Sequence, residues 1–290
     1  MFAILGLVIT LFMVLTGYIL SGGSFGIIIK ALPYELMIIF GSATGAFVMA
    51  NSGGVLKSTL RGTSKVLKGP KWTSEDYKDA LSLIYLLVKL MRQKGVIAVE
   101  SHIEEPESSK IFQHFPRIAA DHHLVTFICD YVRMMTMNFE DPQQMEEAMD
   151  LDIARHEAEE HEPQHALQTM ADGMPALGIV AAVLGIIKTM ASINEPVDVL
   201  GRLVGGALVG TFLGIFLSYL VVSPIAQRLK QVLAEEHQMM RIIKVMLISH
   251  LQGNAPQVTV EIGRRNVPTH LMPAFAEMEE RVTELPPDLA

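Results

Sequence analysis

The sequence predicts an all-α membrane protein: four transmembrane helices, with a large helical cytoplasmic domain between helices two and three. Three observations carry this expectation. Half of the 290 residues are apolar and 19% are charged, a balance typical of membrane chains rather than soluble enzymes. Four long runs hold a single charge among them, Lys188. Outside those runs, apolar positions recur at helical spacing instead of alternating as in a strand.

About 20 apolar residues in a helix cross the hydrocarbon core, and residues 1–29, 36–56, 173–194 and 203–227 meet that need. The first run lacks a basic leader and a small-residue cleavage site, so it reads as a retained helix. Lys57, Arg61, Lys65, Lys68 and Lys71 follow the second run, and Arg228, Lys230, Arg241 and Lys244 follow the fourth. Short basic loops stay in the cytoplasm, which puts both termini there. The expected organisation is 1–50 for helices one and two, 51–172 for a cytoplasmic helical domain, 173–225 for helices three and four, and 226–290 for a helical extension and acidic tail.

Within the cytoplasmic stretch, Leu81, Ile84, Tyr85, Val88 and Met91 or Arg92 follow the i, i+3, i+4, i+7 pattern. "TSED" at residues 73–76 supplies a hydroxyl and acids for the free N–H groups of a helix start. A second helix is expected over 118–139, with Val125, Ile128, Cys129, Val132 and Met135 on one face. A third covers 142–160 and a fourth 226–251. The proline-rich segment beyond Pro268 reads as a loosely ordered tail. The net charge of -8 and the acid-rich stretch 140–162 argue against a nucleic-acid partner. Cys129 is the only cysteine, which excludes an intramolecular disulfide and a thiolate metal cluster.

Four features bear on chemistry. His161-Glu162-Pro163-Gln164-His165 spells H-E-x-x-H, the pattern that sets two zinc ligands one turn apart on a helix. Pro163 sits inside it, so a helix break is expected there, with a new helix starting near the proline; no third ligand is apparent. Gly201, Gly205, Gly206, Gly210, Gly214 and Ser218 form a ladder in helix four, and Gly41 and Gly45 a shorter one in helix two. Small residues at such spacing let helices approach closely in lipid, and the length of the first ladder favours contact with other chains. None of the four runs carries an Asp or Glu near its middle, so a membrane proton carrier would have to come from another chain. Pro175 reads as a helix opener and Pro224 as a kink inside a continuous helix.

"MADGMPALGIVAAVLGIIKTM" (170–190), "GALVGTFLGIFLSYLVVSPIA" (206–226), "RQKGVIAVESHIEEP" (92–106) and "VEIGRRNVP" (260–268) together resemble the flagellar stator subunits of the motility protein A family, within the wider MotA/TolQ/ExbB proton channel family. That resemblance implies a non-enzymatic ion-conducting subunit in the cell inner membrane. It implies a pentamer of this chain around two copies of motility protein B, which supplies the membrane aspartate, and a push on the rotor torque protein FliG through Arg92 and Glu100. It further implies that Pro175 and Pro224 couple ion passage to movement, that Asp172 is an acid near the cytoplasmic mouth, and that Thr211 lines the ion pathway. Sodium-driven relatives carry a threonine where this chain has Ala182; losing that hydroxyl removes a ligand for a hard cation, so protons are expected. Membrane lipid is the expected surroundings, no cofactor is implied, and the alternatives are an ExbB- or TolQ-type energising subunit or an intramembrane zinc protease using His161 and His165.

Overall fold

A computed structural model describes residues 2–286. Among them the chain is helical with no strand. In chain order the helices are α1 (Phe2–Leu20), α2 (Phe25–Ala50), α3 (Gly53–Lys68), α4 (Ser74–Lys94), α5 (Glu100–Glu104), α6 (Lys110–Gln113), α7 (Pro116–Ala119), α8 (His122–Thr136), α9 (Pro142–Ala191), α10 (Val197–Leu217), α11 (Ser223–Leu251), α12 (Pro256–Arg265) and α13 (Phe275–Thr283). A 3₁₀ turn (Val96–Val99) precedes α5, and a π-helical turn (Ser218–Val222) joins α10 to α11. The chain divides into two compact units: one takes residues up to 69 and 160–232, the other 70–159 and the residues from 233 on.

The first unit holds the apolar helices. α2, α9 and the α10–α11 run are long and apolar enough to cross a membrane, and α1 contains the shorter apolar stretch Ile4–Leu20. The turn between α1 and α2 comes earlier than the apolar runs suggest. Gly22 takes φ 82° there, a left-handed conformation that costs a glycine least, and the Ser24 hydroxyl then accepts from the Gly26 N–H at the start of α2. As a result Lys30, Pro33 and Glu35 lie inside α2, and the expectation of membrane helices free of acids near their middle is wrong. A hydropathy window averages one carboxylate away, and several starting points satisfy the length requirement equally.

α9 corrects two further expectations. It runs unbroken for 50 residues through Pro163 and Pro175, so neither proline starts a helix. Each removes one i→i−4 hydrogen bond, and that local loss is outweighed by the packing of the helix on both sides. Leu167, Ala171, Met174, Ala181 and Ala182 are all buried on one side of it. Large apolar side chains elsewhere on the helices are exposed, among them Ile179, Val183 and Ile187 on α9 and Phe212 and Ile215 on α10. An outer surface of this composition suits lipid, where only satisfied backbone and apolar side chains are tolerated.

The glycine ladder is used within the chain. A Cβ on Gly214 would lie 2.8 Å from both the Gly178 Cα and the Met174 carbonyl oxygen, and one on Gly185 would lie 2.6 Å from Ala207 Cβ. Gly205 faces Ile27 and Gly206 faces Ala31 on α2. Internal packing thus accounts for most of a ladder that the sequence reading assigned mainly to other chains. Gly201, Gly41 and Gly45 meet nothing within 4 Å, which leaves those positions open.

The second unit is built as a soluble domain is built. The Thr73 side chain accepts from the Asp76 N–H while the Asp76 carboxylate accepts from the Thr73 N–H, a reciprocal cap worth about 1 kcal/mol. Along α4, Leu81, Ile84, Tyr85, Val88 and Met91 are buried as their spacing predicts, and Arg92 points outward. Val125, Ile128, Cys129, Val132 and Met135 of α8 join the same core. Cys129 is buried, and that burial pushes its thiol up to about 12. The segment beyond Pro268 is ordered through residue 286, contrary to expectation: α13 buries Met278, while Arg281 pairs with Glu75 and Asp79 and Lys78 with Glu277. Arg264 anchors this end, donating two hydrogen bonds to the Glu261 carboxylate at 2.6 and 2.7 Å and one to the Pro273 carbonyl at 2.8 Å. Residues 287–290 of the expected tail lie outside the described residues.

Candidate functional site

Of the residues expected along the ion pathway, Ala182 on α9 and Thr211 on α10 lie at or next to the contact between those helices. Ala182 is buried, and a Cβ on Gly210 would lie 3.0 Å from Ala181 Cβ and 3.2 Å from the Ala182 backbone nitrogen. Thr211 follows immediately and is half-buried. The close approach needs glycine at 210, because any side chain there would force the helices apart.

Glu35 of α2 reaches the same spot. Its Oε2 would be 2.6 Å from a Cβ on Gly210. The residue is 7% exposed, and Oε2 has no hydrogen-bond partner among the described residues. Sequence reasoning missed this carboxylate by starting the second helix one residue after it. The available signal was a single acid amid the uncharged stretch 31–56, two residues after Pro33.

The proline-bearing segments are joined by polar contacts. Gln168 donates to the Asp172 carboxylate at 2.8 Å, Ser223 donates to the Gln168 side-chain oxygen at 3.4 Å, and Gln227 donates to the Ser223 hydroxyl at 3.3 Å. Asp172 is exposed and lies one turn before Pro175; Ser223 directly precedes Pro224. Pro224 follows the π-helical turn, in which the Ser223 N–H bonds back to the Ser218 carbonyl, five residues earlier. Such turns often mark functional positions inside long helices. A proline with no N–H to offer, one residue beyond a shifted hydrogen-bond register, makes this the irregular point of the α10–α11 run.

Arg92 and Glu100 lie in the second unit at the two ends of one connection, the last turn of α4 and the first residue of α5. Both are exposed. Arg92 also has structural work: its Nη1 donates to the carbonyls of Gly253 and Asn254 at 3.3 and 2.7 Å, closing the turn after α11. His250, near that turn, is held below the usual histidine range, chiefly by burial and secondly by the Arg92 charge.

The helix break expected inside the H-E-x-x-H motif does not occur, since α9 passes through Pro163. His161 is half-buried and His165 exposed. The histidines of the second unit that do gather are His123, His156 and His237, with ring centroids 5.3 Å apart for the first pair and 5.7 Å for the second.

Comparison with known proteins places this geometry. Residues 4–95 match the family model described as Motility protein A N-terminal, and residues 119–242 match the MotA/TolQ/ExbB proton channel family. The chain is similar to Motility protein A of Escherichia coli (strain K12), 40% identical over 97% of this chain and 95% of that protein. Its fold resembles that of a solved MotAB structure from C. jejuni, with a TM-score of 0.72, 19% identity and coverage of 92% of this chain and 95% of the other. It also resembles the flagellar MotAB stator complex from Bacillus subtilis, with a TM-score of 0.69, 21% identity and coverage of 96% and 98%.

Proposed function

We infer the function from one premise: the chain belongs to the motility protein A family, within the MotA/TolQ/ExbB proton channel proteins. It is a flagellar stator subunit of the proton-channel type, and the observation that carries this is the 40% identity to Motility protein A extending over 97% of the chain. The match of residues 4–95 to the motility protein A N-terminal model favours this over an ExbB- or TolQ-type energising subunit.

The finer reading is a proton-driven subunit with four membrane helices (α1, α2, the apolar half of α9, and α10) and both termini in the cytoplasm. The basic residues after α2 and in α11 support that orientation. Five copies surround two copies of motility protein B, and Arg92 and Glu100 face the rotor protein FliG. Thr211 and Ala182 line the ion route, and Asp172 stands near its cytoplasmic end. Pro175 and Pro224 pass movement on through α9 and α11, a role supported by the Asp172, Gln168, Ser223 and Gln227 contacts and the π-helical turn. Ala182 offers no oxygen to a hard cation, which favours protons over sodium.

Complementation tests this. Expressed with its own partner in Escherichia coli cells lacking motility protein A and its partner, the chain restores swimming that an uncoupler abolishes and sodium removal leaves intact. Correct membrane insertion and partner binding without any swimming would overturn the assignment, and a sodium requirement would overturn the argument from Ala182.

A further inference from the structure

We propose that Glu35 is a proton-binding station on this chain, at the inner end of a wet cavity that opens by the α1–α2 and α9–α10 turns. The proposal rests on the proton-channel reading and adds a residue to it. The cavity measures about 740 Å³ and lies wholly within the first unit, lined by α2, α9 and α10. Ser24, Lys30, Lys188 and Arg202 supply polar wall, and among the described residues Glu35 is the only acid lining it. Water entering a space of this size finds several polar partners there.

Glu35 is 7% exposed, sits at the eleventh position of a 26-residue apolar helix, and leaves Oε2 without a partner among the described residues. An ionisable group at such depth is costly and marks an ion or proton path when it faces a cavity. Local packing is arranged around it. Gly210 makes room for the carboxyl group, since a Cβ there would lie 2.6 Å from Oε2, and the next residue along α10 is Thr211. The station therefore adjoins the α9–α10 contact at Ala182.

The groups that line the cavity favour a proton over a metal cation. Lys30 comes from α2, Lys188 from α9 and Arg202 from α10; Arg202 pairs with Asp198 at 3.0 Å. The two lysines are exposed, and their long stems let the ammonium groups extend into outer water. That positive charge acts on every entering cation alike, but one carboxylate falls far short of the several oxygens that a hard metal cation takes. A proton needs only one carboxylate oxygen and a water to deliver it. In the step proposed, hydronium gives its proton to Oε2, leaving water and a neutral carboxylic acid. The acid later returns the proton to water or to the next carboxylate, and no other bond changes.

The stator complex, purified with its partner and reconstituted in liposomes holding a pH-sensitive dye, tests this. Glu35→Gln keeps the shape and removes the titrating group; it should lower proton flux roughly tenfold or more, in keeping with loss of a positioned proton-transfer group. Glu35→Asp should recover much of the flux, and both variants should co-purify with the partner as the parent chain does. Wild-type flux in Glu35→Gln would overturn the proposal. A wild-type complex that passes no protons would instead overturn the channel reading on which it rests. Wetness is tested separately with Leu203→Cys, a lining position, in a Cys129→Ser background. A charged, membrane-impermeant thiosulfonate should label it in cells from the outer side, and its failure to react would overturn the wet cavity.

Discussion

The two units share one kind of secondary structure and opposite rules for what it faces. In the second unit, large apolar side chains such as Leu81, Leu87, Phe112 and Ile128 are fully enclosed, and salt bridges such as Arg133 with Glu104 and Lys244 with Asp150 lie on the outside. In the first, Ile179, Val183, Ile187 and Phe212 face outward, while glycines and alanines fill the contacts between helices. Water drives the first arrangement, because apolar area removed from it is worth about 25 cal/mol per Å². Lipid gives no such return for burying leucine, so close backbone packing has to hold those helices together. The comparison teaches that "core" means side-chain volume in one unit and absence of side chains in the other.

Substitutions that treat the units alike should break this comparison. Leu87→Ala removes fully buried volume from the second unit and should cost about 2–5 kcal/mol, seen as a lowered denaturation midpoint of the purified complex. Ile187→Ala, on the outward face of α9, should leave that midpoint within about 0.5 kcal/mol. Equal losses would mean that the outward face of α9 is buried in the working assembly.

A smaller effect tests the small-residue contacts. Gly214→Ala places a methyl group 2.8 Å from the Gly178 Cα and the Met174 carbonyl, where backbone has to shift. The expected cost is about 1–3 kcal/mol, with swimming speed falling further than stability because the shift lies beside Pro175. Normal speed would show that the α9–α10 contact is looser than its geometry.

The smallest effect concerns pH and should be confined to the second unit. His250 and His102 are both held below the ordinary histidine value of 6.5, each chiefly by burial. A group whose folded pKa is depressed binds fewer protons in the native state, so its stabilising contribution is present above about 6.5 and is lost as pH falls below it. His250→Gln should flatten, without abolishing, the loss of stability between neutral and mildly acid pH, measured as the denaturation midpoint against pH. An unchanged slope would remove His250 from the account.

Much of the second unit was legible in the sequence because a soluble helix shows its buried stripe every three to four residues. Leu81 through Met91 and Val125 through Met135 are such stripes, and "TSED" marked the start of α4. Ala182 and Thr211 could be named as pathway positions only through the family blocks around them. Glu35 was hidden for a physical reason: one carboxylate barely changes the hydropathy of a long run, and its meaning depends on Gly210, 175 positions away. Pro163 and Pro175 misled because the local cost of proline is visible in sequence while the packing that offsets it is not. The composition of residues 268–286 suggested looseness, yet Met278 is buried in the core and Arg281 finds its partners on α4.

What the sequence by itself determined is what short-range chemistry decides: helical periodicity, the apolar runs, the capping box and the charge balance between the two ends of each run. Only the tertiary structure decided where α2 begins, that α9 continues through two prolines, and that a glycine ladder serves this chain's own helices. Each of these depends on contacts between residues far apart in the chain. Those contacts set which lost hydrogen bond is tolerated and which carboxylate is enclosed.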